Sequence, residues 1–212
     1  YSLNSTVINI AKRVLNSSGS KLYDANTNAL AGAITLSNLV SGEALNHSGT
    51  ASTSSANVGS YTISNLTGIT IADGSGGTAS NYTLTGGTHN FAINQRPLNA
   101  TLARQYDGTT ASAGSTLSSF DALQGGETLT MTGSGTAASA NVANGITMSS
   151  NGNLALADGT GAASNYSLNS TVINIAKRVL NSSGSKLYDA NTNALAGAIT
   201  LSNLVSGEAL NH

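Results

Sequence analysis

An all-β chain built from tandem small modules is the fold class this sequence predicts, and three observations predict it. Tyr1 to His47 recur without a single change as Tyr166 to His212, so self-similarity is the first fact about the chain. Apolar side chains stand two apart in short segments, the period of a half-buried strand. Clusters of Gly, Asn, Asp and Ser punctuate those segments roughly every ten residues, as turns do in small β modules.

A weaker repeat lies inside the perfect one. Arg13-Val14-Leu15-Asn16 returns as Arg96-Pro97-Leu98-Asn99, Tyr23-Asp24-Ala25 as Tyr106-Asp107-Gly108, and Gly42-Glu43-Ala44-Leu45 as Gly126-Glu127-Thr128-Leu129. Ala56-Asn57-Val58 matches Ala140-Asn141-Val142, Ala72-Asp73-Gly74 matches Ala157-Asp158-Gly159, and Ser80-Asn81-Tyr82 matches Ser164-Asn165-Tyr166. The pairs divide the chain into modules of about 83 residues, a size at which many domains fold alone. Module A spans 12–94 and module B 95–176. Residues 177–212 read as the first half of a further module A, and 1–11 as the last strand of a preceding module. Both ends cut through modules, so the sequence reads as a window on a longer protein.

Strands are predicted at Tyr61-Thr62-Ile63, Ile69-Thr70-Ile71, Phe91-Ala92-Ile93, Leu129-Thr130-Met131 and Leu154-Ala155-Leu156, where the alternation is clear. Turns are predicted at Asn16-Ser17-Ser18-Gly19, Asp73 to Gly77, Gly125-Gly126 and Asp158-Gly159. The pattern fits small β-sandwich-like or β-grasp-like modules. Leu36, Leu39 and Val40, and likewise Leu117, Phe120 and Leu123, recur at helical spacing just ahead of Gly-Glu, which predicts at most one short helical turn per module. The junctions, Asn94-Gln95-Arg96-Pro97 and Ala176-Lys177-Arg178, leave no room for a flexible linker. A last strand should run nearly straight into the next first strand, giving an end-to-end rod.

Composition narrows the function classes. Only 8% of the 212 residues are charged, the net charge is −1, and Ser, Thr and Asn make up nearly two-fifths of the chain. With 39% apolar residues the chain has enough to build small cores, which disordered linkers lack. The basic residues Lys12, Arg13, Lys21, Arg96 and Arg104, with their repeats, are scattered, so no nucleic-acid footprint exists. No apolar run is long enough to span a bilayer, and no signal segment is present. The absence of Cys excludes a disulfide scaffold.

The acids Asp24, Asp73, Asp107, Asp121, Asp158, Asp189, Glu43, Glu127 and Glu208 contain no pair spaced for general acid–base work. Asp73 and Asp158 open Asp-Gly-x-Gly loops that could offer oxygens to Ca²⁺, but each loop shows one carboxylate where six or more oxygens are needed, so a turn is expected. His47, His89 and His212 have no metal spacing, and Met131 stands in module B where module A has His47. No Gly-x-Ser-x-Gly elbow comes with a matching His and acid, and Gly74 to Gly77 lacks a phosphate-loop Lys. The sequons at Asn4, Asn65, Asn81 and Asn169 follow from composition. Tyr23-Asp24 and Tyr106-Asp107 are expected to be structural, Asp capping local amides while Tyr packs in the core and anchors its hydroxyl; Asn81-Tyr82 and Asn165-Tyr166 are read the same way. No catalytic, cofactor or metal residue is assigned, and a non-enzymatic role is expected.

Tyr-Asp-Gly-Thr-Thr at 106–110, Ala-Asn-Val at 140–142, Ala-Asp-Gly-Thr-Gly at 157–161 and Ser-Asn-Tyr-Ser-Leu at 164–168 occur in an order that resembles the YDG-type repeats, with the related MBG modules, of giant bacterial surface proteins. The resemblance covers essentially the whole chain. It implies an adhesin or biofilm-matrix protein, often of the filamentous-haemagglutinin type exported by two-partner secretion, and brings no site residues with it. Ala25 stands where the name-giving glycine would be, so the resemblance supports a glycine-dependent turn at Gly108 and does not carry it over to module A. The expected function is a stalk or fibre segment, extracellular or on the bacterial cell surface. Its partners would be neighbouring modules and other copies in a fibre. The alternative is a repeat that binds glycan, with Tyr61, Tyr82 and Tyr166 as candidates, or self-associates by strand complementation.

Overall fold

The computed structural model describes residues 5–63 and 66–211. Over the described residues the chain is all-β, 48% strand, with no helix of seven residues or more and a sheet curled as a half-barrel. It divides into two compact units. The first comprises Tyr1–Arg96, Gln124–Glu127 and Gly161–Ser167, and the second Pro97–Leu123, Thr128–Thr160 and Leu168–His212.

The first unit carries β1 (Arg13–Val14), β2 (Asn16–Leu22), β3 (Asn28–Leu30), β4 (Ile34–Ser37), β5 (Leu45–Ser52), β6 (Gly59–Thr62), β7 (Ile69–Asp73), β8 (Tyr82–Thr83) and β9 (His89–Asn94). One sheet has the order β4-β2-β9-β6 and another β3-β5-β7, while β1 pairs with β8. At the centre of the first sheet β2 and β9 run parallel, from Ser17 opposite His89 to Leu22 opposite Asn94. Alternation makes β9 a core strand: Phe91 and Ile93 are buried while Asn90 and Asn94 are exposed. Leu15, Ala29, Ile34, Ala51 and Ile69 are buried as well.

The central position of β2 corrects the turn predicted at Asn16-Ser17-Ser18-Gly19, because those residues are strand. Their small size is the reason. A Cβ at Gly19 would run into the carbonyl oxygen of Ala33 and lie 2.9 Å from the Phe91 ring. Packing across the strand therefore selects Gly and Ser where intrinsic preference would read a turn.

The predicted helical turn is also overturned. Leu36 lies in β4, and Leu117 and Phe120 lie in β12 (Leu117–Phe120), so the spacing of three is formed by a strand end and a bend. Asn38 supplies that bend in module A with φ of 65°. Short 3₁₀ turns occur elsewhere, two in each full repeat: Ala31–Ala33 and Ala79–Asn81, then Gly114–Thr116 and Ala163–Asn165.

The second unit continues with β10 (Arg96–Gln105), β11 (Ala111–Ala113), β12, β13 (Leu129–Thr132), β14 (Ser134–Ala137), β15 (Ala143–Ser150), β16 (Ala155–Asp158), β17 (Tyr166–Ala176), β18 (Asn181–Gly184) and β19 (Ile199–Ser202). A six-stranded sheet has the order β11-β14-β15-β17-β10-β12, and β13 pairs with β16. Ala100, Leu102, Met131, Ala137, Leu154, Ile173 and Ile175 form one buried cluster, with Tyr106, Leu117 and Phe120 packed against it. Each fully buried Leu or Ile there contributes about 1.5–3 kcal/mol. The five alternating segments predicted from sequence all contribute strand residues here or in the first unit.

Residues 5–12 form no strand. Val7, Ile8 and Ile10 are 80–94% exposed. Residues 1–4 lie outside the described residues. A single residue, Gln95, separates β9 from β10, whereas residues 177–180 separate β17 from β18 without strand. Among the described residues no helix is long and apolar enough to cross a membrane.

Candidate functional site: a recurring tyrosine–glutamate clasp

All three glutamates of this weakly charged chain follow a glycine. The structure supplies the reason. Gly42, Gly126 and Gly207 have φ of 85°, 72° and 87°, and each following Glu amide donates to the carbonyl three residues back: Glu43 to Val40 (3.0 Å), Glu127 to Gln124 (2.9 Å) and Glu208 to Val205 (3.0 Å). The third residue of such a turn needs a left-handed backbone, which glycine adopts without steric cost. The turn presents the carboxylate to a tyrosine.

In the first unit Glu127 receives two tyrosines. The Tyr23 hydroxyl donates to its Oε1 at 2.5 Å and the Tyr166 hydroxyl to its Oε2 at 2.6 Å. Tyr166 also accepts from the Gln124 amide at 3.1 Å. The two rings meet edge to face, 5.2 Å between centroids and 77° between planes, a favoured aromatic geometry. Both tyrosines are nearly fully buried. Arg96 Nε donates to the Tyr23 carbonyl at 2.6 Å, and the Tyr23 amide donates to Asn94 at 2.9 Å. Burial, then the hydrogen bond and negative charge of Glu127, push the Tyr23 hydroxyl well above its ordinary value, and Tyr166 is raised by the same two causes in the same order.

The second unit repeats the arrangement with one tyrosine. Tyr106 donates to Glu208, its amide donates to Ala176 at 2.9 Å, and Arg178 Nη1 donates to its carbonyl at 3.4 Å. Within the first unit Tyr82 likewise donates to Glu43 and accepts from the Val40 amide at 3.1 Å.

The aspartate that follows Tyr23 and Tyr106 shapes each loop. Asp24 accepts the Asn26 amide and pairs with Lys21 at 2.7 Å, and Asp107 accepts the Thr109 amide at 2.9 Å and pairs with Arg104. Burial raises the Asp24 carboxyl, but the Lys21 ammonium and the Asn26 amide outweigh it and hold the group below its ordinary value. Ala25 adopts φ of 61°, close to the 75° of Gly108. The turn expected only where glycine is present therefore forms in module A too, with a non-glycine residue held in a left-handed conformation by its neighbours. In the first unit Ala25 Cβ packs against Gly125.

The other candidate residues go to structural partners. Asp73 Oδ1 accepts the Ala79 amide at 2.7 Å, and Asp158 ends β16, opposite Leu129. Among the described residues no group of three His, Cys, Asp or Glu could hold a metal ion. His47 Nε2 lies 3.0 and 2.9 Å from the carbonyls of Ala31 and Ile34. His89 is buried between the Ser17 hydroxyl (3.1 Å) and the Leu84 carbonyl (2.8 Å). Met131 is buried in β13. Asn165 is buried and accepts the Val58 amide at 2.9 Å. Of the tyrosines considered for sugar stacking, Tyr82 and Tyr166 are buried with their hydroxyls engaged, and Tyr61 is half-buried and donates to the Asn57 carbonyl. Asn4, Asn65 and His212 lie outside the described residues.

The sequence reading gives Tyr-Asp a structural role and uses Gly-Glu only as a repeat marker, without joining the two. A signal was available: both motifs recur together in each module, and every glutamate follows glycine. A family model described as YDG domain matches the chain twice, over residues 9–89 and 94–173. No curated protein and no solved structure gives a significant match.

Proposed function

Since the chain belongs to the YDG-domain family and carries that domain twice in tandem, we propose that it serves as a structural repeat segment, the stalk or fibre body of a bacterial extracellular adhesin or biofilm-matrix protein. The observation that carries this reading is the Glu127 clasp. It ties Tyr23, in the first matched repeat, to Glu127 and Tyr166, in the second, through two charge-assisted hydrogen bonds and an aromatic contact. Hydrogen bonds to charged groups contribute about 1.5–3 kcal/mol each, enough to fix one repeat against the next. The lone residue between β9 and β10 supports the same reading, because it leaves no flexible tether.

Each repeat in this reading is a β-grasp-like module. The parallel pairing of β2 with β9 favours that topology over a purely antiparallel sandwich. The role is mechanical and assigns no residue to catalysis. Small-angle scattering on chains with increasing numbers of repeats tests it. The maximum dimension should grow by a constant increment per repeat, and a compact particle, or a profile of freely jointed beads, overturns it.

A further inference from the structure

A Tyr-Asp loop meets a Gly-Glu turn twice, and the two meetings differ in the size of what touches. In the first unit the loop brings a methyl group. Ala25, which follows Tyr23-Asp24, sets its Cβ against Gly125, and a Cβ added at Gly125 would lie 3.0 Å from it. In the second unit the loop brings none. Gly108, which follows Tyr106-Asp107, faces Val205, and a Cβ added at Gly108 would lie 2.9 Å from the Val205 Cγ1. Carbon atoms in contact stand about 3.5–4.0 Å apart, so either added methyl is a clash. Neither partner yields readily: Ala25 has no rotamer to change, and Val205 is branched at Cβ and stiff at χ1.

The sequence ties each wall to one kind of repeat. Val40-Ser41-Gly42-Glu43 recurs as Val205-Ser206-Gly207-Glu208, and the counterpart in the second matched repeat is Gln124-Gly125-Gly126-Glu127. The valine turn keeps its shape in both copies, with φ of 85° at Gly42 and 87° at Gly207, and with the Glu43 and Glu208 amides 3.0 Å from the Val40 and Val205 carbonyls. The loops also share a backbone, with φ of 61° at Ala25 and 75° at Gly108. Side-chain volume is what sets the two junctions apart. An alanine loop sits on a glycine wall, and a glycine loop sits on a valine wall.

We propose that these positions decide which repeat can follow which along the chain. A repeat whose loop carries alanine takes the glycine-walled turn of the other kind of repeat and is shut out of the valine-walled turn of its own kind, because its methyl would run into the valine. Glycine at 108 is required because a valine-walled turn comes next. The tyrosine–glutamate hydrogen bond cannot make this choice, since both junctions have it. The choice comes from the clash with the wrong neighbour. It also keeps repeats of identical sequence from engaging one another during folding, a hazard of tandem arrays. The inference rests on the clasp joining successive repeats and names the residues that select the partner.

Amide hydrogen exchange of the full chain, followed by NMR, tests it. Gly108→Ala sets an alanine loop on the valine turn. Exchange at the Tyr106 and Glu208 amides, which are bonded to the Ala176 and Val205 carbonyls, should rise, while the Tyr23 and Glu127 amides of the other clasp keep their rates. Alanine at positive φ has a backbone cost of its own, so the same substitution is also made in the Val205→Ala background, where that cost stays and the clash is gone. The rise should be about tenfold larger with Val205 in place than without it. Gly125→Ala should likewise speed exchange at Tyr23 and Glu127, and less so in the Ala25→Gly background. Equal effects of Gly108→Ala in its two backgrounds overturn the proposal, because backbone strain alone then accounts for the loss. That result leaves the clasp and the length increment per repeat untouched, so the two readings fail separately. Should Gly108→Ala unfold the second unit, the double variant decides: folding restored by Val205→Ala supports the proposal, and a double variant that is also unfolded overturns it.

Discussion

Residues 5–46 and 170–211 have the same sequence in two settings. Some structure is common to both copies. β2 pairs with β4 from Asn16 opposite Ser37 to Gly19 opposite Ile34, and β18 pairs with β19 in the identical register. Arg13 bonds the Asn38 carbonyl at 2.6 Å, as Arg178 bonds that of Asn203 at 2.6 Å, and both asparagines have φ near 66° (65° and 67°). The rest differs. Ile8 and Ile10 are 80% and 94% exposed where Ile173 and Ile175 are 0% and 1% exposed. Tyr23 is 3% exposed and Tyr188 94%. The shared features close over about 25 residues of chain, whereas Tyr23 depends on Asn94 and on Glu127, 104 residues away, and Ile173 and Ile175 on pairing with β15. Local pairing is a property of the segment, whereas burial belongs to its surroundings.

The sharpest way to break the comparison is to place a charge at matched positions. Ile175→Asp puts a carboxylate in the core of the second unit and should cost more than about 4 kcal/mol. Ile10→Asp, the same change in the exposed copy, should stay within about 0.5 kcal/mol by urea denaturation. A next smaller effect is expected at the clasp. Glu127→Ala leaves two buried hydroxyls without their acceptor and should cost about 2–4 kcal/mol, with a smaller loss for Glu43→Ala, whose carboxylate serves one hydroxyl. Gly19→Ala should destabilise by about 2 kcal/mol, because the new methyl meets both Ala33 and the Phe91 ring. Gly184→Ala should cost less, since only the Ala198 backbone and its neighbour crowd that site.

The clasp also predicts an alkaline response. Tyr23 and Tyr166 are raised above the ordinary tyrosine value of 10.0, so between that value and their folded values the folded chain holds protons that the unfolded chain has released. Stability then falls as pH rises: the contribution is fully present below about pH 10 and is lost above it. Urea midpoints at about pH 9 and about pH 11 should differ in wild type, and the difference should shrink in Tyr23→Phe. The smallest effect is expected at the shared hairpin. Arg13→Ala should cost within about 0.5 kcal/mol, and Arg178→Ala, which loses the same asparagine contact and also the bond to the Tyr106 carbonyl, somewhat more.

Much of the fold is legible in the residues. Alternation locates Phe91-Ala92-Ile93 and Leu129-Thr130-Met131, and the repeat tells where each element recurs. Two readings go astray for one reason. Asn16 to Gly19 look like a turn and Leu36 to Val40 like a helical turn, because composition and spacing count local preference alone, and the Phe91 ring and the bend at Asn38 are contributed by other parts of the fold. The clasp was half visible. Tyr-Asp and Gly-Glu stand out as motifs, but nothing in their spacing states that Tyr23 meets a glutamate 104 residues later rather than one in its own module.

By itself the sequence determined the repeat, the all-β class, the turns that aim each glutamate and the hairpin that both copies share, since these depend on φ preferences, alternation and contacts between near neighbours. Tertiary structure alone decided which copy of an identical strand is buried and which tyrosine reaches which carboxylate. The physical reason is that burial and parallel pairing require a second surface brought from far along the chain, and a segment carries no information about whether that surface is beside it.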